Sequence, residues 1–314
     1  MRSPAFLAAA AMFVATAFFA GTTLLAKALG SGVMGVQLHA LQISQARFVF
    51  GFLAVLAVFL VLRARAATPA GAPAAPAPLF VLTPAWGLHF IRTLLGWLGG
   101  ALLFAAAAQM PLTDANALSF LSPIATMLFA IPLLGEKVGR WRWTAAALAM
   151  LGALVLLRPG QGVIQPAALM ALGAALTMGL EGIFIKRLAN REPTRQILLV
   201  NNFMGAVLAS LVALPFLQLP HDAAQWLALA AVGVLMVSGQ GLLLLAIARA
   251  DASYVAPFLY MTLVWAAAFD ALVFGVLPDL ISLAGAGIVV SGGLLMAWRE
   301  AVLRRDLALA RPRG

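Results

Sequence analysis

The chain has no cysteine and few charged residues, histidines or tyrosines. Without cysteine, disulfide bonds and thiolate metal or redox chemistry are excluded. Only 10% of its 314 residues are charged, and its three histidines fall in separate segments. The metalloprotease pattern H-E-x-x-H and the hydrolase pattern G-x-S-x-G are both missing. An enzyme therefore fits this composition poorly, and we expect neither a cofactor nor a metal.

Apolar sequence takes the place of these residue types. Hydrophobic residues make up 64% of the chain and the mean hydropathy is +1.03, which is outside the range of soluble domains. A helix needs about 20 apolar residues to cross a bilayer. Ten such spans are predicted, at about 6–26, 40–62, 84–108, 115–134, 141–157, 167–188, 196–218, 224–249, 252–275 and 280–298. The fourth and fifth are short, so nine spans are the alternative.

Basic residues predict the orientation of the spans. Loops on the side of the N-terminus carry most of the lysine and arginine, whereas Lys27 and Arg158 stand on the other side. Both termini are therefore expected in the cytoplasm, in a bacterial-type inner membrane. These topology signals also explain the net charge of +10, so nucleic-acid binding is not expected. The long loop 63–83 is rich in alanine and proline, which predicts a cytoplasmic linker.

The two halves of the chain repeat the same order of features. Residues 105–160 and 245–300 both contain a small-residue run, a helix with proline and a closing glycine-rich helix. Each half has five spans, and an odd number inverts the second copy. We predict an all-α integral membrane protein of ten transmembrane helices in two inverted five-helix repeats, 1–160 and 161–300, with a basic tail at 301–314. Such repeats are typical of alternating-access transport with a substrate site near the midplane.

Three segments carry a family resemblance. PLTDANALSFLSPI (111–124), LLGEKVGRWRW (133–143) and GALVLLRPG (152–160) resemble the EamA-like family of the drug/metabolite transporter superfamily. Its most recognisable mark is the pair Gly135–Glu136, and Glu136 has no acidic counterpart in the second half, where the resemblance is fainter. The resemblance implies ten spans in two repeats. It also implies export of amino acids and other metabolites, or uptake of compounds such as riboflavin or S-adenosylmethionine.

Four charged residues are predicted well inside the spans, where an unpaired charge is costly. They are Arg47, Arg92, Glu181 and Asp270. Depth along the spans predicts two ion pairs, Arg47 with Asp270 near the outer mouth and Arg92 with Glu181 toward the cytoplasm. We interpret these pairs as gates or proton-sensitive latches, with a static structural pair as the alternative. The two carboxylates are also the candidates for proton coupling, against facilitated diffusion without coupling.

Polar and aromatic residues at helical spacing are further candidates for a cavity wall. They are His89, Asn116, Ser119, Asn202, Gln240, Tyr260 and Trp265. Helix packing is the alternative role for the small ones. Pro123 and Pro257 come at corresponding depths of the fourth and ninth spans and are predicted hinges, with a static kink as the alternative.

These residues together predict a secondary active or facilitative transporter of a small polar metabolite. Two buried arginines suit a carboxylate or a phosphate. Export of an amino-acid-like compound is the first prediction, and uptake of a vitamin or cofactor-like compound is the alternative. A membrane scaffold would not need arginines on internal faces. The expected partners are the metabolite, the lipid bilayer and, if transport is coupled, protons; the sequence leaves open whether two copies form a homodimer.

Overall fold

The structure is a computed structural model. It describes residues 4–66, 85–135, 138–157, 165–189, 191–192, 194–249 and 255–309. Glu136, residues 67–83 of the predicted linker and residues 310–314 of the predicted tail lie outside the described residues. Throughout the described ranges the regular structure is helical, without a strand, as the sequence predicts.

Eleven α-helices make up ten spans in this part of the chain. They are α1 (Pro4–Gly30), α2 (Ala40–Ala66), α3 (Trp86–Ala107), α4 (Leu112–Ser119), α5 (Ser122–Leu134), α6 (Arg140–Leu157), α7 (Pro166–Ala189), α8 (Thr194–Ala213), α9 (Ala223–Ile247), α10 (Met261–Phe274) and α11 (Leu280–Leu309). Helices α4 and α5 together form the fourth span. Within the described residues, nine of these ten spans are long and apolar enough to cross a membrane. The remaining one, which follows the eighth span, is a shorter apolar helix, Phe258–Phe274.

The ten-span prediction is confirmed, and the nine-span alternative is wrong. The fourth span (Leu112–Leu134) and the fifth (Arg140–Leu157) are separate and each long enough to cross. At the end of the chain, α11 runs to Leu309, so residues 301–309 of the predicted tail continue the tenth span. We call the face where α1 begins the N-face, and the opposite one the far face.

Two spans are broken at matching places. The fourth is interrupted between α4 and α5, and the ninth begins with a 3-10 helix, Ala256–Tyr260, before α10. Each ends on a glycine with a left-handed backbone, Gly135 (φ 66°) and Gly275 (φ 65°). Only glycine adopts this conformation without strain, and it ends a helix by satisfying its last carbonyl groups. The corresponding spans of the two halves therefore end in the same way.

The contacts between spans follow a two-fold exchange of the halves. The third span packs on the sixth as the eighth packs on the first, and the second packs on the eighth as the seventh packs on the third. The fourth packs on the sixth as the ninth packs on the first. The fifth and tenth, which exchange with each other, pack together, as do the second and seventh. This pattern, between copies of five spans each, confirms the predicted inverted repeat.

Glycines bring α6 and α11 into close contact. A Cβ atom placed on Gly152 would lie 2.6 Å from the amide nitrogen of Val289, and one on Gly292 would lie 2.8 Å from that of Ala149. Small residues allow such an approach in lipid, where helix association depends on packing. The two contacts are equivalent under the exchange of halves, because both Gly152 and Gly292, and Ala149 and Val289, are 140 residues apart.

Candidate functional site

An ion pair joins the two halves inside the helical bundle. Arg92 Nε on α3 lies 3.5 Å from Glu181 Oε1 on α7, and their side chains are 7% and 17% exposed. Arg92 also donates to the carbonyl oxygen of Ile197 on α8, at 3.4 Å. The predicted pairing of these two residues is confirmed. Because Arg92 belongs to the first repeat and Glu181 to the second, relative movement of the halves would act on this contact.

Two glycines on α3, Gly96 and Gly100, make room for these charges. Arg92, Gly96 and Gly100 follow each other at intervals of four, on one face of the helix. A Cβ atom on Gly96 would lie 2.7 Å from the carboxyl carbon of Glu181, and one on Gly100 would lie 2.8 Å from a terminal nitrogen of Arg47. Gly96 is near the midpoint of α3, so the charges meet near the middle of the bundle.

Arg47 on α2 completes what we call the central charge cluster, consisting of Arg47, Arg92 and Glu181. Its guanidinium donates to the carbonyl oxygen of Gly96 at 3.5 Å and lies 4.1 Å from the centroid of the Phe48 ring. The predicted pairing of Arg47 with Asp270 is wrong, since Asp270 pairs elsewhere. The Arg47 guanidinium lies against Gly100 on α3, one turn closer to the far face than Gly96.

Asp270 on α10 forms a second buried ion pair with Lys27 on α1. Lys27 Nζ lies 2.6 Å from Asp270 Oδ1, and the side chains are 11% and 1% exposed. The other carboxylate oxygen accepts from the backbone N–H of Leu112, at 2.5 Å, where α4 begins. Carboxylates are favoured at helix N-termini, whose first N–H groups lack partners in the helix. This far-face ion pair therefore ties the first, fourth and ninth spans together.

Sequence reasoning missed Lys27 because it treated this residue as a loop charge that sets topology. Lys27 lies in the last turn of α1 and is 9% exposed. A signal was present, since LLAKAL (24–29) places the lysine within an apolar run and resembles FIKRLA (184–189) in the other half. A lysine inside an apolar run requires a partner, and Asp270 was the predicted carboxylate at that depth.

Two polar contacts lie at the N-face. His89 Nε2 at the start of α3 is 2.7 Å from Glu192 Oε2 in the loop between α7 and α8, with side chains 1% and 3% exposed. Arg187 at the end of α7 donates to the carbonyl oxygen of Leu133 at the end of α5, at 2.7 Å. Sequence reasoning missed Glu192 because the residue is outside the spans. The cavity role of His89 stays a prediction.

Three of the four predicted amide and hydroxyl residues bond to their own helices. Asn116 donates to the carbonyl oxygen of Leu112 and Ser119 to that of Asn116, both at 2.7 Å. Asn202 on α8 donates to the carbonyl oxygen of Leu198 at 2.9 Å. Gln240 is half-buried on α9. Local bonds of this kind satisfy polar side chains inside a membrane protein, and the cavity role of these residues stays a prediction.

The predicted aromatic residues pack against other rings inside the bundle. The ring centroids of Tyr260 and Phe120 are 5.1 Å apart, next to the breaks in the ninth and fourth spans. Trp265 meets Phe13 edge-on at 5.0 Å and stacks on Phe269 at 6.0 Å. These contacts connect α1 with α10, and the ninth span with the fourth. Their geometry is typical of aromatic packing, and contact with a substrate stays a prediction.

Both predicted hinge prolines stand where their span is broken. Pro123 is exposed in the first turn of α5, directly after the end of α4 at Ser119. Without an N–H group it cannot bond to the carbonyl four residues earlier, which explains the break. Pro257 lies in the 3-10 helix that precedes α10. A hinge motion at either proline stays a prediction.

Open space lies on the far face next to the far-face ion pair. A cleft of about 330 Å³ is lined by Pro111 and Asp114 of the fourth span and by Val276 and Asp279 of the loop after α10. A second cleft of about 640 Å³ opens between the far-face ends of α1, α2 and α3. None of the predicted site residues lines either cleft, and the central charge cluster lies deeper.

Comparison with known proteins assigns both halves of this fold to one family. The sequence profile of the EamA-like transporter family matches residues 6–158 and, a second time, residues 165–298. A chain from a solved crystal structure superposes with a TM-score of 0.60 over 95% of this chain and 98% of that one. At 20% identity it supports the fold alone.

Several curated relatives are named transporters. The riboflavin transporter of Vibrio cholerae serotype O1 is 31% identical over 73% of this chain and 77% of its own length. The pseudopaline exporter CntI of Pseudomonas aeruginosa is 29% identical over 64% and 71% of the two chains. The S-adenosylmethionine uptake transporter of Rickettsia prowazekii is 27% identical over 86% and 87%. The chain therefore belongs to the EamA-like transporter family of the drug/metabolite transporter superfamily, a family of small-molecule transporters.

Proposed function

We propose that this protein exports a small, polar, amino-acid-like metabolite across the bacterial inner membrane by alternating access. The observation that carries the proposal is the ion pair between Arg92 and Glu181, because it joins the two inverted halves near mid-depth. Inverted-repeat transporters hold their substrate at this level, between the halves. Transport itself rests on the family and on the named relatives.

The ion pairs Lys27–Asp270 and Arg92–Glu181 are the contacts that we propose change during transport. The far-face ion pair ties α1 to α10 and α4, so opening that face separates Lys27 from Asp270. The pair of Arg92 and Glu181 joins α3 to α7 at the centre. Separating either pair is costly without a replacement for the lost charge. A substrate group, or a proton on Glu181 or Asp270, would supply that replacement.

Uptake is the second candidate for the direction of transport. The Rickettsia relatives are named S-adenosylmethionine uptake transporters and align with 86% of this chain, which favours uptake of a cofactor-like compound. The pseudopaline exporter favours the direction that we propose. The same central charge cluster would serve either direction, since alternating access is reversible.

Untargeted mass spectrometry of cells and medium tests both function and direction. Cells expressing wild-type protein should enrich at least one polar metabolite in the medium. Arg92→Ala should lose most of this enrichment, because it leaves Glu181 buried without its partner. The matched control is Arg249→Ala, since Arg249 is exposed and bonds to its own helix. Depletion of a compound from the medium would establish uptake, and no difference from cells lacking the protein would contradict transport.

The orientation that we propose places the N-face, with both termini, in the cytoplasm. The absence of cysteine allows a direct test, because a single introduced cysteine is then the only thiol of the chain. On spheroplasts, a membrane-impermeant maleimide should label Leu219→Cys, in an exposed far-face loop. It should label Ala248→Cys, exposed at the N-face end of α9, only after lysis. The opposite labelling pattern would show the reverse orientation.

A further inference from the structure

The central charge cluster contains more positive than negative charge. Arg47 and Arg92 contribute two guanidinium groups, and Glu181 contributes one carboxylate. The Glu181 carboxylate and the Arg47 guanidinium both contact Gly96. Among the side chains that the structure describes, no second carboxylate lies within ion-pair distance of either arginine. The cluster thus holds one unit of positive charge in excess.

Arg47 is the arginine whose charge is poorly matched. Its side chain is buried, with 8% exposure, and its one hydrogen bond to the described residues is the long one to the Gly96 carbonyl. The Nε groups of both arginines lack a hydrogen-bond acceptor within the described part of the chain, but Arg92 has the Glu181 carboxylate within ion-pair distance. The Phe48 ring, 4.1 Å from the guanidinium carbon, offsets part of the charge through a cation–π contact. A buried arginine normally has a carboxylate or several carbonyl acceptors around it.

A second buried donor stands beside Arg47. Ser44 lies one turn away on the same face of α2 and is fully buried. Its hydroxyl also has no hydrogen-bond partner among the described residues. Leaving a buried donor without an acceptor is unfavourable. A hydroxyl without an acceptor, beside a guanidinium whose Nε also has none, favours an oxygen-bearing anion as the ligand of both groups.

We propose that Arg47 and Ser44 form an anion subsite of the central charge cluster that takes a group of one negative charge, such as the carboxylate of the transported metabolite. One such charge brings Arg47, Arg92 and Glu181 to neutrality, which is the favoured state in a membrane interior. The carboxylate bonds to the Arg47 guanidinium and the Ser44 hydroxyl, while Glu181 keeps Arg92. This inference rests on the proposed function and narrows its substrate to carboxylate-bearing metabolites.

The excess of one positive charge in the central charge cluster predicts how many negative charges the preferred anion carries. Wild-type protein should prefer acetate, with one negative charge, over malonate, which carries two at neutral pH. Glu181→Gln removes the only carboxylate of the cluster and leaves two positive charges. This variant should therefore shift its preference from acetate toward malonate. Arg47→Gln removes the excess charge and should weaken acetate binding roughly tenfold or more, since a charge-assisted hydrogen bond contributes about 1.5–3 kcal/mol.

Thermal unfolding of the purified full chain in detergent measures these preferences, at constant ionic strength with acetate or malonate as the probe. Acetate should raise the unfolding midpoint of wild type and of Arg47→Lys, but not of Arg47→Gln. The matched control is Arg249→Gln, an exposed arginine outside the cluster. If Arg47→Gln does not fold, the shift from acetate toward malonate in Glu181→Gln tests the proposal instead.

Two results of the unfolding measurement would overturn the subsite. One is an equal acetate shift in wild type and Arg47→Gln, and the other is an unchanged preference in Glu181→Gln. The proposed function fails separately, through the metabolite measurement on cells. Transport of a neutral compound with full activity in Arg47→Gln would refute the subsite and leave the transporter intact. Acetate binding by a protein that moves no compound in cells would support the subsite and refute the proposed transport.

Discussion

Replacement of Asp270 by alanine should destabilise the protein by about 3–5 kcal/mol, the cost of leaving one partner of a buried ion pair alone. The substitution leaves the Lys27 ammonium, 11% exposed, without its carboxylate. It also removes the acceptor of the Leu112 N–H group at the start of α4. Equilibrium unfolding of purified protein in detergent measures the change in the free energy of unfolding. Three spans should loosen together, because the carboxylate connects α1, α4 and α10.

Two further variants separate the ion pair from a general effect of losing an aspartate. Asp222→Ala removes an exposed aspartate that caps α9 through the Gln225 N–H group, and should cost about 0.5–2 kcal/mol. The double variant Lys27→Met/Asp270→Leu should recover much of the stability, because it leaves no unpaired charge at this position. Equal losses in Asp270→Ala and Asp222→Ala would show that the far-face ion pair contributes nothing beyond a helix cap.

Gly96→Leu should lower the rate of transport at least about tenfold, because the new side chain would occupy the position of the Glu181 carboxylate. Even a Cβ atom there would lie 2.7 Å from the carboxyl carbon. The carboxylate would have to leave Arg92, and overpacking of this kind costs about 1–3 kcal/mol, where 1.4 kcal/mol corresponds to tenfold. The rate of movement of the metabolite identified in cells, per molecule of protein in the membrane, is the measurement.

The matched control for this substitution is Gly87→Leu, on the same helix. A Cβ atom on Gly87 meets nothing within 4 Å and the residue is exposed, so transport should stay within about twofold of wild type. Gel filtration of both variants in detergent shows whether each remains folded. A folded Gly96→Leu protein with wild-type transport would mean that the contact between Gly96 and Glu181 has no role in the transport cycle.

The spans and their repeat could be predicted because they depend on quantities that the sequence states directly. Apolar length fixes where a helix crosses, and a count of five spans per half fixes the inversion. Depth alone predicted the pair of Arg92 and Glu181, and the prediction was right because α3 and α7 are also neighbours in the bundle. Depth is one coordinate of three, however. The rotation of each helix about its axis and the choice of neighbour come from packing, which no single sequence displays.

The wrong pairing of Arg47 shows where this reasoning fails. Arg47 and Asp270 have similar depths, but Asp270 faces α1 and α4, whereas Arg47 faces α3. Glu192 could not be found by counting charges in spans, since it is a loop residue and its burial depends on the fold around His89.

The two faces of the bundle are held by different chemistry, although the backbone repeats. On the far face a lysine of the first span meets a carboxylate of the ninth. Among the described residues of the N-face, Arg187 of the sixth span donates to a backbone carbonyl of the fourth, and His89 pairs with Glu192. The position equivalent to Asp270 in the first half, 140 residues earlier, is Ala130, which has no carboxylate. Perfect inverted copies would give the two access states equal energies. Here each 1.4 kcal/mol of difference between the two closures shifts the ratio of the two access states tenfold, so the unequal contacts at the two faces set which state is more populated at rest.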